Sequence, residues 1–200
     1  EKAIFPMLQD TQNTQRFDGE VANALDCLME ASSIERSRPI LLEFKTKEII
    51  QPFVDDQASE YHFISCIIQA LLSSSDINQE NTFGSNPTSP KVILEILKVV
   101  STFINTQFRE YCYYDGYAID CYNVLKAIAS LARNEANMKE LKNNGVADKI
   151  IELFKSRKED LLKTNFQTVE EGTKVIWILS FDKECKDKFL SEGIVEILKG

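Results

Sequence analysis

A period of 48 residues runs through the second half of this chain. The stretch Val124–Gly145 reads Val-Leu-Lys-Ala-Ile-Ala-Ser-Leu-Ala-Arg, a polar turn, Asn-Met-Lys-Glu-Leu and then Asn-Asn-Gly, and the pattern returns at Ile176–Gly193. Ile128 and Ile176, Leu131 and Leu179, Leu141 and Phe189, Gly145 and Gly193, and Val146 and Ile194 are each 48 positions apart. Within each copy the apolar residues fall at helical spacing. A unit of this size cannot bury its apolar face alone, so a fixed period of this kind predicts helical units stacked on their neighbours.

The first half carries the period more weakly. Ala24-Leu25-x-Cys27-Leu28 aligns with Val124-Leu125-x-Ala127-Ile128 at an offset of 100, and Ile49-Ile50-x-x-Phe53 aligns with Ile150-Ile151-x-x-Phe154 at 101. Two periods of about 50 residues produce such offsets. The 200 residues then hold about four repeats.

In chain order, Ala3–Leu8 reads as a short apolar helix end and Asp10–Phe17 as a loop. Asp18–Ser33 places Val21, Leu25, Leu28 and Ser32 on one helical face. Pro39 opens a helix, being tolerated in a first turn, and Pro52 is expected to bend the next one. Tyr61–Leu72 is apolar nearly all round, which predicts burial on more than one side. It is too short to span a membrane. Residues 73–89, rich in Ser, Asn and Thr, read as a loop or disordered insertion. Pro90 then starts a helix with Ile93, Ile96, Leu97, Val100, Phe103 and Ile104 in one stripe. The tyrosines between Phe108 and Tyr122 are expected to pack helix on helix, with a recognition surface as the alternative. Ser156–Lys163 reads as a charged link, and further helices follow to the end of the chain.

Leu125-x-x-Ile128-x-Ser130-Leu131-Ala132, then Asn137-x-x-x-Leu141-x-x-x-Gly145-Val146, then Ile150-Ile151-x-Leu153-Phe154 resembles an armadillo repeat, and Ile178-Leu179-Ser180 with Gly193-Ile194 repeats it. The likeness is best over residues 122–200; HEAT-type repeats are the close alternative. It implies an all-α fold, a right-handed α-solenoid of about four repeats over residues 1–200, with the third helix of each repeat lining a concave groove. Family members that clamp extended peptides carry a Trp and an Asn on that helix. Here those positions are Lys126 and Ser130, then Lys174 and Ile178, so the clamp of nuclear-import adaptors is missing. Asp26 and Glu30 align with Lys126 and Ser130 in the first half. The candidate partner-binding groove is therefore Asp26, Glu30, Lys126, Ser130, Lys174 and Ile178, acidic at its N-terminal end and basic further on. The string Trp177-Ile-Leu-Ser-Phe-Asp-Lys-Glu also resembles armadillo-type segments that precede TIR or other effector domains.

Composition narrows the partners. The net charge is −8, with 8 basic and 15 acidic residues in the first hundred and 15 and 16 in the second. Phosphate binding needs a basic surface, so nucleic acid and anionic membranes are disfavoured. Five scattered cysteines with no Cys-x-x-Cys pair read as reduced thiols, which suggests the cytoplasm. The start at Glu1 and the end in a fresh apolar stretch read as a piece of a longer protein.

No phosphate-binding loop or nucleophile elbow is present. The single histidine, His62, lies in the most apolar helix and is expected to be packed. Trp177, the single tryptophan, is expected in the core beside Ile176 and Leu179. Catalytic residues, metal ligands and cofactors are all expected to be absent. The expected function is a protein–protein interaction scaffold binding a protein or an extended peptide. The alternative is an interaction or autoregulatory segment of an effector whose enzymatic site lies elsewhere.

Overall fold

The computed structural model describes residues 18–73, 88–105, 111–114, 117–164 and 166–199. Eleven α-helices and one two-stranded hairpin account for most of them. The helices are α1 (Asp18–Ser33), α2 (Arg38–Glu43), α3 (Thr46–Asp55), α4 (His62–Leu71), α5 (Pro90–Asn105), α6 (Cys121–Leu131), α7 (Glu135–Asn143), α8 (Val146–Thr164), α9 (Phe166–Leu179), α10 (Lys183–Ser191) and α11 (Ile194–Lys199). A 3₁₀ turn (Glu35–Ser37) joins α1 to α2, and the hairpin β1 (Tyr111–Tyr114)–β2 (Tyr117–Asp120) leads into α6. The all-α expectation holds apart from this hairpin.

The helices pack in two rows. In the first, α1 lies against α4, α4 against α6 and α6 against α9. In the second, α5 lies against α8 and α8 against α11. The rows meet where α4 and α6 touch α5 and where α9 touches α8. α4, flanked in its row by α1 and α6, is buried on nearly every side: Phe63, Cys66, Ile67, Ile68, Ala70 and Leu71 are fully enclosed. An all-round apolar helix is thus placed where it has neighbours on all faces.

The turns repeat as well as the helices. Gly145 and Gly193 both have positive φ, 71° and 68°, at the α7–α8 and α10–α11 junctions. Such a conformation costs a residue with a β-carbon about 1–2 kcal/mol, which explains the recurring glycine. Lys45, at the α2–α3 junction and 100 positions before Gly145, is the one positive-φ non-glycine among the described residues, at 56°. It holds the same turn without the favoured residue. Lys45→Gly should therefore raise stability by about 1 kcal/mol, read as a rise in the urea midpoint at unchanged slope. No gain would mean that Lys45 makes compensating interactions in the turn.

The caps follow the same register. Asn134 accepts the Asn137 amide at 3.1 Å to open α7, and Asp182, 48 positions on, accepts the Cys185 amide at 3.1 Å to open α10. Asp182 also accepts from Lys142 at 2.8 Å, tying α7 to α10. The Lys142 ammonium, with the backbone amide behind it, holds the Asp182 carboxyl below its usual value of 3.8. A depressed carboxyl contributes stability above its ordinary value and loses it as pH falls through the lowered one. Asp182→Asn keeps a capping oxygen but no charge. It should cost about 0.5–1 kcal/mol at pH 7, and that cost should shrink as pH falls through the lowered carboxyl value, where the parent takes up a proton too. A cost that persists undiminished in acid would assign Asp182 to packing.

Two expectations fail here. The tyrosine stretch is not helical: Cys112 pairs with Ile119 and both are buried, Tyr111 and Tyr113 point out, and Tyr114 pairs with Tyr117. That alternation is the strand period of two. Ser156–Lys163 is no link, because α8 runs through it to Thr164; its Lys, Arg, Glu and Leu are good helix formers. α3 contains Pro52 in its interior. Pro90 does open α5, and Pro39 sits in the first turn of α2. The expectations at Ala3–Leu8 and Asp10–Phe17 lie outside the described residues, as does most of 73–89. The ends of that last segment are close, with the Ser73 and Thr88 hydroxyls 2.7 Å apart and the Thr88 amide donating to Asn137 at 2.9 Å.

Candidate interaction surface

The six groove residues lie on α1, α6 and α9, three helices of one row. Asp26 and Glu30 on α1 are exposed, Lys126 is half-buried and Lys174 is exposed. Ser130 and Ile178 are buried, so neither faces a partner. The reason at Ser130 is a segment 92 residues away. The Arg38 guanidinium, only 4% exposed, donates from Nε to the Ser32 carbonyl at 2.7 Å and from Nη1 to Ser130 Oγ at 3.3 Å. Lys126 donates to the Ser33 carbonyl at 2.9 Å and lies over the Tyr122 ring at 4.3 Å. Arg133 pairs with Glu35 at 2.9 Å. The α1–α2 connection, residues 32–38, therefore covers much of the α6 face that the sequence reading left open.

Electrostatics bind this seam together. Burial lowers the Arg38 pKa while Glu35 opposes that shift, with Glu171 of α9 also facing it. The Glu35 carboxyl is held down by its hydrogen bond from Arg133, and by the charges of Arg38 and Lys174 as well. Lys174 itself bonds Glu171 and Glu170, both at 2.9 Å, and those bonds raise its pKa. Lys126 and Lys174 thus both approach the Ser33–Glu35 stretch. Asp26 faces the hairpin instead: burial raises the Tyr117 pKa, and the nearby Asp26 charge adds to that rise.

The surface that remains open is on α9. Trp177 is 64% exposed, Phe181 just beyond the helix is 75% exposed and Phe166 at its start is 81% exposed. The Trp177 and Phe181 rings meet edge to face at 5.1 Å. Lys174, Trp177 and Phe181 follow one another at helical spacing, so charge and ring lie on one stripe. Trp177 is not in the core as expected. Exposed aromatic clusters of this kind mark interaction sites more often than scattered single residues do.

No protein family, curated protein or solved structure matches this chain.

The remaining chemistry-bearing groups have structural partners. His62 is buried, with Nδ1 3.3 Å from the Phe53 carbonyl and Nε2 3.8 Å from Cys66 Sγ. Burial pushes the Cys66 thiol up to about 12 and the Cys185 thiol up to about 11, far from a thiolate at neutral pH. None of the five cysteines forms a disulfide, and only Cys27 is exposed. Glu95, buried in α5, is accounted for: burial works to raise its pKa, but bonds from Lys98 at 2.8 Å and the Tyr114 hydroxyl hold it below the usual value. It anchors the hairpin to α5. Among the described residues no group of His, Cys, Asp and Glu is placed to hold a metal ion, and no helix is long and apolar enough to cross a membrane.

Proposed function

We propose that this chain is a protein–protein interaction scaffold built as an armadillo-like α-solenoid. The two helix rows support the solenoid reading, as do the positive-φ turns at Lys45, Gly145 and Gly193 and the caps at Asn134 and Asp182. A stack of this kind buries its apolar area between neighbouring repeats and leaves a long surface free for binding. The observation that carries the functional reading is the exposed Lys174–Trp177–Phe181 stripe on α9. Trp and other aromatic side chains dominate the energetics of protein interfaces, and a ring held at a fixed helical position loses little entropy when it docks. Asp26, Glu30 and Lys126 belong to helices of the same row. The proposed partner is a protein or a peptide segment, and the absence of disulfides among the five cysteines fits a reducing compartment, the cytoplasm.

The test is a binding comparison between the parent chain and Trp177→Ala/Phe181→Ala. Immobilised on a sensor, the parent should retain a protein ligand that the double variant binds about tenfold or more weakly, with helical circular dichroism unchanged. Equal binding by the two would remove the stripe from the interface.

A further inference from the structure

Register and burial fix which residues share the outer face of the β1–β2 hairpin. Cys112 and Ile119 pair and are buried, so Tyr111, Tyr113 and their respective partners Asp120 and Ala118 project from the other side. Tyr113 is 61% exposed and Tyr111 41%; Ala118 is exposed and Asp120 half-buried. The four form a square, with two rings along β1 and an alanine and a carboxylate facing them along β2. In such a square directly opposite residues stand about 4.5–5.5 Å apart and diagonal ones about 7–8 Å. The alanine methyl is far shorter than the side chains around it. The space above Ala118 is therefore walled by Tyr113 opposite, Asp120 two residues on and Tyr111 on the diagonal. The Tyr111 and Tyr113 rings stand at 89° with centroids 5.7 Å apart, so the two walls do not lie flat on one another.

These walls attract a cation. The face of an aromatic ring carries negative potential, and a carboxylate adds a full charge. Asp120 keeps an acceptor for the purpose. Its Oδ1 takes the Asn123 amide at 2.9 Å to cap α6, whereas its Oδ2 has the Asn123 side-chain amide at 3.4 Å. The surroundings carry the same sign. Glu60 and Asp26, both exposed, lie near enough to Tyr117 for their charges to add to the rise that burial causes in its pKa. The two helices that hold the hairpin, α5 and α6, carry three cations. Lys98 is bound by Glu95 at 2.8 Å, Lys126 donates to the Ser33 carbonyl at 2.9 Å, and Lys91 lies in the first turn of α5, about two turns before Lys98. The charge on the outer face itself is that of Asp120.

We propose that the outer face of the hairpin binds an arginine side chain of a partner protein, with the guanidinium above Ala118 between the Tyr111 and Tyr113 rings and the Asp120 carboxylate. Arginine fits better than lysine, because its flat, weakly hydrated guanidinium stacks on a ring while it donates to a carboxylate. The site goes beyond the scaffold reading above: it lies on another element than the α9 stripe and takes a partner of different chemistry.

The experiment titrates the ¹⁵N-labelled 200-residue chain with a peptide of about nine residues alternating glycine and arginine, at about 50 mM salt to limit screening. The expected result is saturable shifts of the Tyr111, Tyr113, Ala118 and Asp120 amides with a Kd below about 1 mM. The same peptide with citrulline for arginine keeps the shape without the charge and should bind at least about tenfold more weakly. Tyr113→Leu removes the ring and keeps an apolar side chain, and Ala118→Lys puts a cation of the chain's own into the space. Each should weaken binding at least about fivefold with the rest of the spectrum unchanged. Asp120→Asn removes the charge while asparagine still caps α6, and should weaken binding as well. Tyr113→Phe should bind as the parent does, because the ring face and not the hydroxyl is used. Absence of saturable hairpin shifts up to about 5 mM peptide overturns the proposal. So do shifts confined to the acidic turn at Asp55 and Asp56, equal binding of the citrulline peptide, or parental binding by both Tyr113→Leu and Ala118→Lys. Trp177→Ala/Phe181→Ala should leave the hairpin shifts in place, so that failure of either site is told apart from failure of the other; their loss in that variant overturns the separate site.

Discussion

Gly172→Val should lower stability by more than about 3 kcal/mol, and Gly172→Ala by about 2 kcal/mol. Gly172 sits mid-way along α9, where a glycine costs about 1 kcal/mol of helix propensity relative to alanine. Phe154 of α8 explains its presence. A β-carbon on Gly172 would lie 2.2 Å from Phe154 Cζ and 2.7 Å from Cε2, well inside contact distance. The Phe154 side chain is only 2% exposed, so the ring has no free space to swing into. The register mate on α6 is Val124, which shows that the row itself accepts a branched residue and that the constraint is local to this ring. Urea unfolding followed by circular dichroism measures the loss. Phe154→Leu should destabilise the parent but recover about 1 kcal/mol or more in the Gly172→Ala background, since the two residues share one space. Gly172→Ala at or above parental stability would mean that α8 and α9 separate more easily than their packing indicates.

From Cys121 onward the helices other than the C-terminal half of α8, the caps at Asn134 and Asp182 and the turns at Gly145 and Gly193 fall where the 48-residue period puts them, because each depends on residues close in sequence. The hairpin departs from the helical period but carries its own local signal. Asp115-Gly116 is the dipeptide that favours a two-residue turn, and the buried Cys112 lies between Tyr111 and Tyr113 as Ile119 lies between Ala118 and Asp120. A reading tuned to helical repeats passes over it. Trp177 fails for a different reason. Its mate Ala129 is buried, so register argues for burial, yet Ala129 is covered by α9 and the described residues put no helix on α9 in the same place. Ser130 fails because the group that covers it, Arg38, belongs to another repeat. Contacts between distant segments leave no local trace in a single sequence. Of the groove, the sequence therefore located the helices but not which positions on them stay open.

Arg38→Met should cost about 3–5 kcal/mol, the loss typical of a buried ionic network deprived of one partner. Arg38 joins three elements at once. Its Nε satisfies the Ser32 carbonyl at the end of α1, its Nη1 reaches Ser130 on α6, and its charge faces the buried Glu171 on α9. Methionine fills similar volume and offers no donor. The carbonyl and the hydroxyl would lose those bonds, and Glu171 would keep Lys174 as its ion-pair partner but lose the second positive charge. The cost is set less by the strength of the bonds than by the polar groups left buried without them. Glu171→Gln in the Arg38→Met background should therefore restore about 1 kcal/mol or more, by removing a charge that Arg38 no longer balances, whereas alone it should destabilise. Both are read by urea unfolding, with hydrogen exchange at the end of α1 as the local probe. Exchange there should quicken more than in α8, because Arg38 and Lys126 are what pin residues 32–38 onto α6. If Arg38→Met costs less than about 1 kcal/mol, the segment is held by packing and by the Lys126 and Arg133 contacts rather than by Arg38.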